Sequence, residues 1–310
     1  MRRQKEDEQI RRSTETGTDI EPQFGQRAAE VLLMRYAGNP FHADKVEINP
    51  ILHKEAPVPG RPYILAETTW REVSSTDYSV AVLPWGATEA HNYHLPYNTD
   101  VVQCDHIAAE SARQAWDRGA KVIVLPTVPF GVNTGQVDIK LDINMNPSTQ
   151  LAVLEDIVEG LGHQGIEKLV ILNGHGANDF RQIVRELWPT SDVFLCTLDW
   201  YKWIDSSIFE DPGDHAGEME TSLMQVFAPG LVRPLSEAGD GAEKTFRIPA
   251  LKDGRAWTQR DWVQATSDTG VGDPAPSSAE KGQRCFELLT AQIADFFVDL
   301  AEADLDDLYE

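Results

Sequence analysis

The sequence is short of positive charge. Its 310 residues carry 27 Lys+Arg against 50 Asp+Glu, a formal net charge of −23, and only 10 of the 27 are lysine. That balance argues against broad binding of nucleic acid or anionic membrane, both of which rely on clustered Lys and Arg. Cysteine is equally scarce. Cys104, Cys196 and Cys285 stand far apart with no CxxC, which excludes a disulfide framework or zinc knuckle and points to a reducing, cytoplasmic compartment. Long apolar runs are missing too, since no stretch reaches the ~18 residues of a membrane span. The opening MRRQKEDEQIRRST has charge but not the apolar segment of a secretory signal. Apolar residues as such are plentiful: 41% of the chain is hydrophobic and eight Trp must be housed, which excludes general disorder. The Lys-poor, acid-rich balance suits either a high-salt cytoplasm, whose ions screen self-repulsion, or an ordinary acidic protein.

Composition shifts divide the chain. Residues 1–62 read as an arm: polar and mixed in charge to residue 25, a short amphipathic helix over 27–38, then Pro40, Pro50, Pro57, Pro59 and Pro62 in an extended segment. Such a segment serves either as a linker or as a wrap on a neighbouring subunit. From Tyr63 the rhythm changes. Continuous apolar runs at 79–86, 121–128, 168–174 and 192–200 have the character of strands buried on both faces of a parallel sheet. Helical patterns fall between and after them, at about 101–118, 147–162 (Asn146 as N-cap), 178–188 (Asn178 as cap), 217–228 and 277–300, the last opened by a Ser277-x-x-Glu280 capping box. Strand–helix alternation predicts a three-layer α/β/α fold with a mostly parallel central sheet over residues 63–303, followed by an acidic tail at 304–310.

Histidines and acids concentrate in three segments, each after a predicted strand, where ligands of open α/β sheets bind. In WGATEAHNYHLPYNTD (85–100), Glu89 and His91 are two apart and point the same way in an extended chain. His94 and Asp100 complete a set of two His and two carboxylates with metal-site composition. In LNGHGAND (172–179), Gly174 and Gly176 flank His175, allowing close backbone approach or positive φ. In DPGDHAGEMETS (211–222), Asp214, His215, Glu218 and Glu220 gather at a helix entry, where acids also serve as caps. Cys104 and Cys196 lie in apolar runs and read as core, and Ser222 as a cap or packing residue.

Together the motifs Glu89-Ala90-His91, His94-Leu95-Pro96, Asp100, Asn173-Gly174-His175-Gly176 with Asn178, and His215-Ala216-Gly217 with Glu220-Thr221-Ser222 resemble the creatininase (creatinine amidohydrolase) family in order and spacing over roughly residues 64–230. The resemblance implies a pair of divalent metals, zinc and/or manganese and in some members iron. Glu89 and His175 would hold one and His91 the other, with Asp100 bridging both. Glu220 would act as the fifth ligand and share in catalysis, and His215 would shuttle a proton. Such a pair activates water toward a carbonyl, so the expectation is a metal-dependent hydrolase of a small cyclic or linear non-peptide amide. The alternatives are a ring-opening C–C hydrolase of a keto-inositol-type substrate and, from another class, a non-catalytic metal-binding subunit. Family relatives form ring-like homo-oligomers, often hexamers. Three departures argue against creatinine as substrate: Asn92-Tyr93 in place of Gly-Pro, Ala177 where creatininase has a Glu ligand, and the unfamiliar stretch 131–146. His94, Trp200, Trp203, Asp214 and Glu218 are the expected pocket residues.

Overall fold

The computed structural model describes residues 60–310. The expected helix at 27–38 and most of the expected arm lie outside the described residues. Four strands, β1 (Val80–Trp85), β2 (Val122–Val124), β3 (Lys168–Asn173) and β4 (Phe194–Asp199), form one all-parallel sheet in the order β2-β1-β3-β4. Its register runs Val80↔Val122 on one side of β1 and Trp85↔Asn173 on the other. The five long helices are α1 (Thr99–Asp117), α2 (Pro147–His163), α3 (Phe180–Leu187), α4 (Glu218–Phe227) and α5 (Ala279–Glu302).

The continuous apolar runs have a simple cause. Successive strand residues point to opposite faces, and both faces are covered. Val80 and Val82 of β1 pack with Val170 and Leu172 of β3 against Ile107 of α1, Leu223 of α4 and Leu289, Ile293 and Phe297 of α5. The intervening Ala81, Leu83 and Trp85 pack with Leu169 and Ile171 against Leu154 and Val158 of α2 and Phe180 and Ile183 of α3. The result is the three-layer α/β/α arrangement.

The strand order places the crevice. From β1 the chain crosses to β2 on one side, and from β3 it crosses to β4 on the other, so connections diverge between β1 and β3. Helix α1, which follows β1, covers one face of the sheet; α3, which follows β3, covers the opposite face. The gap beyond the carboxyl ends of these two central strands is the usual ligand site of such sheets. Gly86, just past β1, makes the turn possible: a Cβ there would lie 2.9 Å from Val101 N and 3.0 Å from Asp100 Cβ. The first turn of α1 thereby lies directly against the end of β1.

The caps differ from expectation because each depends on what the neighbouring chain offers. Helix α5 is capped by Ser278, whose hydroxyl accepts from Lys281 N, while Ser277 Oγ accepts from Gln225 Nε2. Asn146 precedes α2 without capping it and accepts from Asn144 Nδ2 instead. Asn178 is drawn away from α3, accepting from Val132 N and Gln150 Nε2 and donating to Asn173 Oδ1. Among the described residues, no helix is long and apolar enough to cross a membrane.

Candidate metal centre

Five side chains from four elements converge in the crevice. Glu89 and His91 lie on the loop after β1 and Asp100 in the first turn of α1. His175 follows β3, and Glu220 lies in the first turn of α4. All five are buried. His175 Nδ1 is 2.8 Å from Glu89 Oε1 and 3.2 Å from Asp100 Oδ2. His91 Nε2 is 2.9 Å from Asp100 Oδ1 and 3.9 Å from Glu220 Oε1. Two sets of ligand atoms therefore form, Glu89–Asp100–His175 and His91–Asp100–Glu220, each within a 4.8 Å span, and Asp100 belongs to both through different oxygens. A third set, Glu89–His91–His215, adds His215, whose Nδ1 is 3.9 Å from Glu89 Oε1.

Each imidazole is oriented from behind by a backbone carbonyl. His91 Nδ1 donates to Glu89 O (3.1 Å), His175 Nε2 to Val132 O (3.0 Å) and His215 Nε2 to Ala90 O (2.8 Å). A carbonyl oxygen only accepts, so the proton lies on these nitrogens and the opposite nitrogen of each ring faces the carboxylates. This is how metal-ligating histidines are held. Glu220 is fixed in turn, its Oε2 accepting from Ala216 N.

The donor set fits divalent cations. Glu89 Oε2, His91 Nε2 and Asp100 Oδ2 are buried without a hydrogen-bond partner, and buried orphan polar atoms are costly unless an ion satisfies them. Imidazole nitrogens facing carboxylate oxygens at such distances need a positive charge between them. The titration of the cluster reflects the same field. Burial lowers the tendency of His91 to hold a proton, but the Asp100 carboxylate beside it more than offsets this and raises it to about 10. His175 is likewise pushed well up, by Glu89 and Asp100 against its burial. Burial alone would raise Glu89 and Asp100, yet the neighbouring histidines hold both below the usual carboxylate range, whereas Glu220, dominated by burial, is raised. Mixed nitrogen and oxygen donors suit zinc or manganese.

The cluster opens into two adjoining cavities. One, of about 360 Å³, is lined by Glu89, Asp100, His175, Tyr201, Asp214, His215 and Glu220. The other, of about 620 Å³, shares Glu89, His175 and His215 and extends to Asn133, Arg181, Trp257 and Trp262. Of the expected pocket residues, Asp214 lines both. The other four line neither. His94 is buried with its Nε2 2.8 Å from Thr221 Oγ1. Trp200 is sealed in the core beside Cys104, and Trp203 packs on Phe296. Glu218 accepts from the backbone N–H of Glu210 and Asp211 and pairs with Lys281 of α5. These contacts anchor the 210–218 loop. Ser222 packs, donating to Glu218 O and accepting from Ser278 N.

Neither glycine beside His175 has positive φ. Gly174 serves close approach instead, since a Cβ there would lie 2.4 Å from Cys104 Sγ, and Gly176 borders open space. Strain appears elsewhere at the site. Asn92 (φ 55°), Leu141 (φ 69°) and Ala216 (φ 51°) are non-glycine residues in the left-handed region, and they adjoin His91, Asp142 and His215. Such conformations persist where the surroundings over-determine them.

Sequence reading missed the wall supplied by residues 242–272, an irregular stretch without periodicity. It contributes Trp262, whose ring meets His215 edge-on at 4.9 Å, and Arg260, which stacks on Trp262 and pairs with Asp214 and Glu243. It also missed Asp142, whose Oδ1 accepts from Ala90 N at 2.8 Å. The unfamiliar composition of 131–146 was the one available signal.

Comparison with known proteins agrees with the fold. The family model described as "Creatininase: Creatinine amidohydrolase" matches residues 66–297. A mycofactocin precursor peptide peptidase of Mycobacterium tuberculosis is 27% identical over 254 residues, covering 77% of this chain and 91% of its own. A creatinine amidohydrolase of Pseudomonas putida is 26% identical over 262 residues, covering 74% and 94%. A Bacteroides fragilis crystal structure, provisionally named a creatinine amidohydrolase, shares 42% identity with a TM-score of 0.74 over 80% of this chain and 99% of that one. The chain belongs to the creatininase family of amidohydrolases.

Proposed function

We propose that this chain is a two-metal hydrolase acting on the C–N bond of a small cyclic or linear amide. The observation that carries the reading is the pair of ligand sets sharing Asp100, one oxygen to each. Glu89 and His175 would hold one ion, His91 and Glu220 the other, and Asp100 both; zinc or manganese matches the donors. When bound, such ions supply Lewis acidity, making water a nucleophile near neutral pH and polarising the scissile carbonyl.

The chain's own groups do the rest. His215 is held by Ala90 O through its Nε2–H, so its Nδ1 is free to take up a proton and return it to the leaving nitrogen. Asp214 lines both cavities beside it and is held by Arg260. Tyr201 lines both cavities and Trp262 the larger one, giving the site aromatic walls beside His215.

Cleavage of a peptide bond is a second reading. It is favoured by the larger cavity of about 620 Å³ that opens from the same His175 and His215, and by the similarity to the mycobacterial peptide peptidase. The relatives found are named for amide or peptide cleavage, which does not favour the C–C hydrolase. Apart from Ala177, every expected ligand position carries a ligand-type residue, which does not favour a non-catalytic subunit. The three free thiols support a reducing, cytoplasmic setting, and a homo-oligomer is part of the same reading through the family.

The test begins with metal analysis of the purified protein. Two divalent ions per chain are expected, with loss of bound metal in Glu89→Gln and His175→Ala. Release of amine or ammonia should then be measured over creatinine, other small amides and short peptides. A protein that takes up no ion and is indifferent to both substitutions is not this enzyme.

A further inference from the structure

Asp142 lies outside the ligand sets yet touches the backbone between two of their members. Its Oδ1 accepts from Ala90 N at 2.8 Å. That N–H belongs to the same peptide group as Glu89 C=O, and Glu89 O accepts from His91 Nδ1 at 3.1 Å. One planar peptide unit thus links a carboxylate on one side to an imidazole on the other. Hydrogen bonds in series polarise one another. In its ionised form, an acceptor of this kind on the N–H makes the carbonyl oxygen a stronger acceptor, and the stronger pull on His91 Nδ1–H makes His91 Nε2 a better electron-pair donor. Carboxylates that meet a ligating histidine directly have this effect; here the contact is relayed through the main chain.

The surroundings hold Asp142 to this contact. Leu141, just before it, sits at φ 69° although its side chain is exposed, so nothing in the packing of Leu141 itself accounts for the strained turn. Just after it, Ile143 N donates to Thr88 O, beside the Glu89–His91 loop, and Met145 N donates to Gly131 O. Asp142 Oδ2 is buried and finds no partner. A turn kept in a costly conformation to aim one carboxylate at one peptide N–H calls for a purpose, and none of the hydrogen bonds of Asp142 serves the core.

We infer that Asp142 is a positioning residue for the metal centre, acting through the Glu89–Ala90 peptide to strengthen His91 as a ligand for one of the two ions. This rests on the two-ion reading above. Direct carboxylate partners of ligating histidines alter metal affinity by about 10–100-fold, and a relayed one should fall toward the lower end.

Stepwise zinc affinities of the metal-stripped full chain, measured by competition with a chelating dye at mildly alkaline pH, provide the test. Asp142→Asn keeps an oxygen acceptor of the same shape but removes the charge. It is expected to weaken one ion about tenfold, leave the other unchanged, and leave the thermal midpoint of the metal-free protein in place. In a His91→Ala background the same substitution should have no further effect. If Asp142→Asn matches the wild type in both affinities, or weakens both ions equally, or keeps its effect without His91, the inference fails while the two-ion reading stands. A wild type that binds no zinc overturns both. Should Asp142→Asn fold poorly, Asp142→Glu takes its place: its longer carboxylate keeps the charge and should retain more affinity than Asp142→Ala, and equal losses in those two overturn the relay.

Discussion

At the scale of single residues, one kind of amino acid has been put to opposite uses. His91 and His175 are surrounded by carboxylates, whereas His94, three positions from His91, is enclosed with a hydroxyl and not a carboxylate as its side-chain partner. Burial pushes His94 down from its ordinary 6.5 to about 4, and Thr221 Oγ1 meets its Nε2. The unfolded chain therefore takes up a proton on this ring at a pH where the folded chain does not. The stability lent by the neutral ring is complete above about 6.5 and is lost as pH falls toward about 4. Thermal midpoints measured across that window should drop in the wild type and drop less in His94→Gln, which can still bond to Thr221. Identical acid limbs in the two proteins would contradict this account. The motif made His94 legible as part of the site, but its place behind α4 depends on where α4 lies, and no local spacing encodes that. The clustering of Glu89, His91 and His175 was legible because a strand followed within a few residues by Glu-x-His, or at once by Gly-His-Gly, sets direction locally.

At the scale of elements, the four strands and five long helices stand close to where apolar periodicity puts them, because both sheet faces are covered and the whole run must be apolar. What periodicity could not convey was the choice of partner at helix ends. Ser277 and Ser278 are chemically equivalent, and only the position of Gln225 on α4 decides that Ser277 is engaged elsewhere and Ser278 caps α5. Ser278→Ala should therefore cost about 1 kcal/mol in a denaturant titration. Ser277→Ala should cost less, and the reverse order would refute the assignment. The 242–272 wall was illegible for a related reason: its order comes from contacts such as Arg260 with Asp214, which join stretches far apart in sequence.

At the scale of the whole molecule, the excess of acid divides into two unequal parts. Three carboxylates, Glu89, Asp100 and Glu220, face one another in the crevice, where a cation pair would offset them. Among the described residues, most of the remainder lies on the surface, as in the five acids of the last ten residues. Surface repulsion is weakened by salt over a distance of about 10 Å at 0.1 M. The melting temperature of the metal-loaded protein should accordingly rise as salt is increased from about 0.01 M to about 1 M, and a fall would mean that attractive pairs such as Arg113 with Glu110 dominate instead.

The ligand sets also fix a timetable. Their members are contributed by residues from Glu89 through to Glu220, and β1 can complete its pairing only after β3, some eighty residues further on, has been made. A ribosome that has just released the Glu89–His91 loop has produced two isolated ligands and no centre. The centre comes into being only when α4 has emerged and docked, and α5, which packs on α4 and α1, is the last long helix to follow. The Glu89–Asp100–His175 set is thus complete in sequence before α4 has been made, while the His91–Asp100–Glu220 set waits for it, so the two groups of donors are assembled in a fixed order.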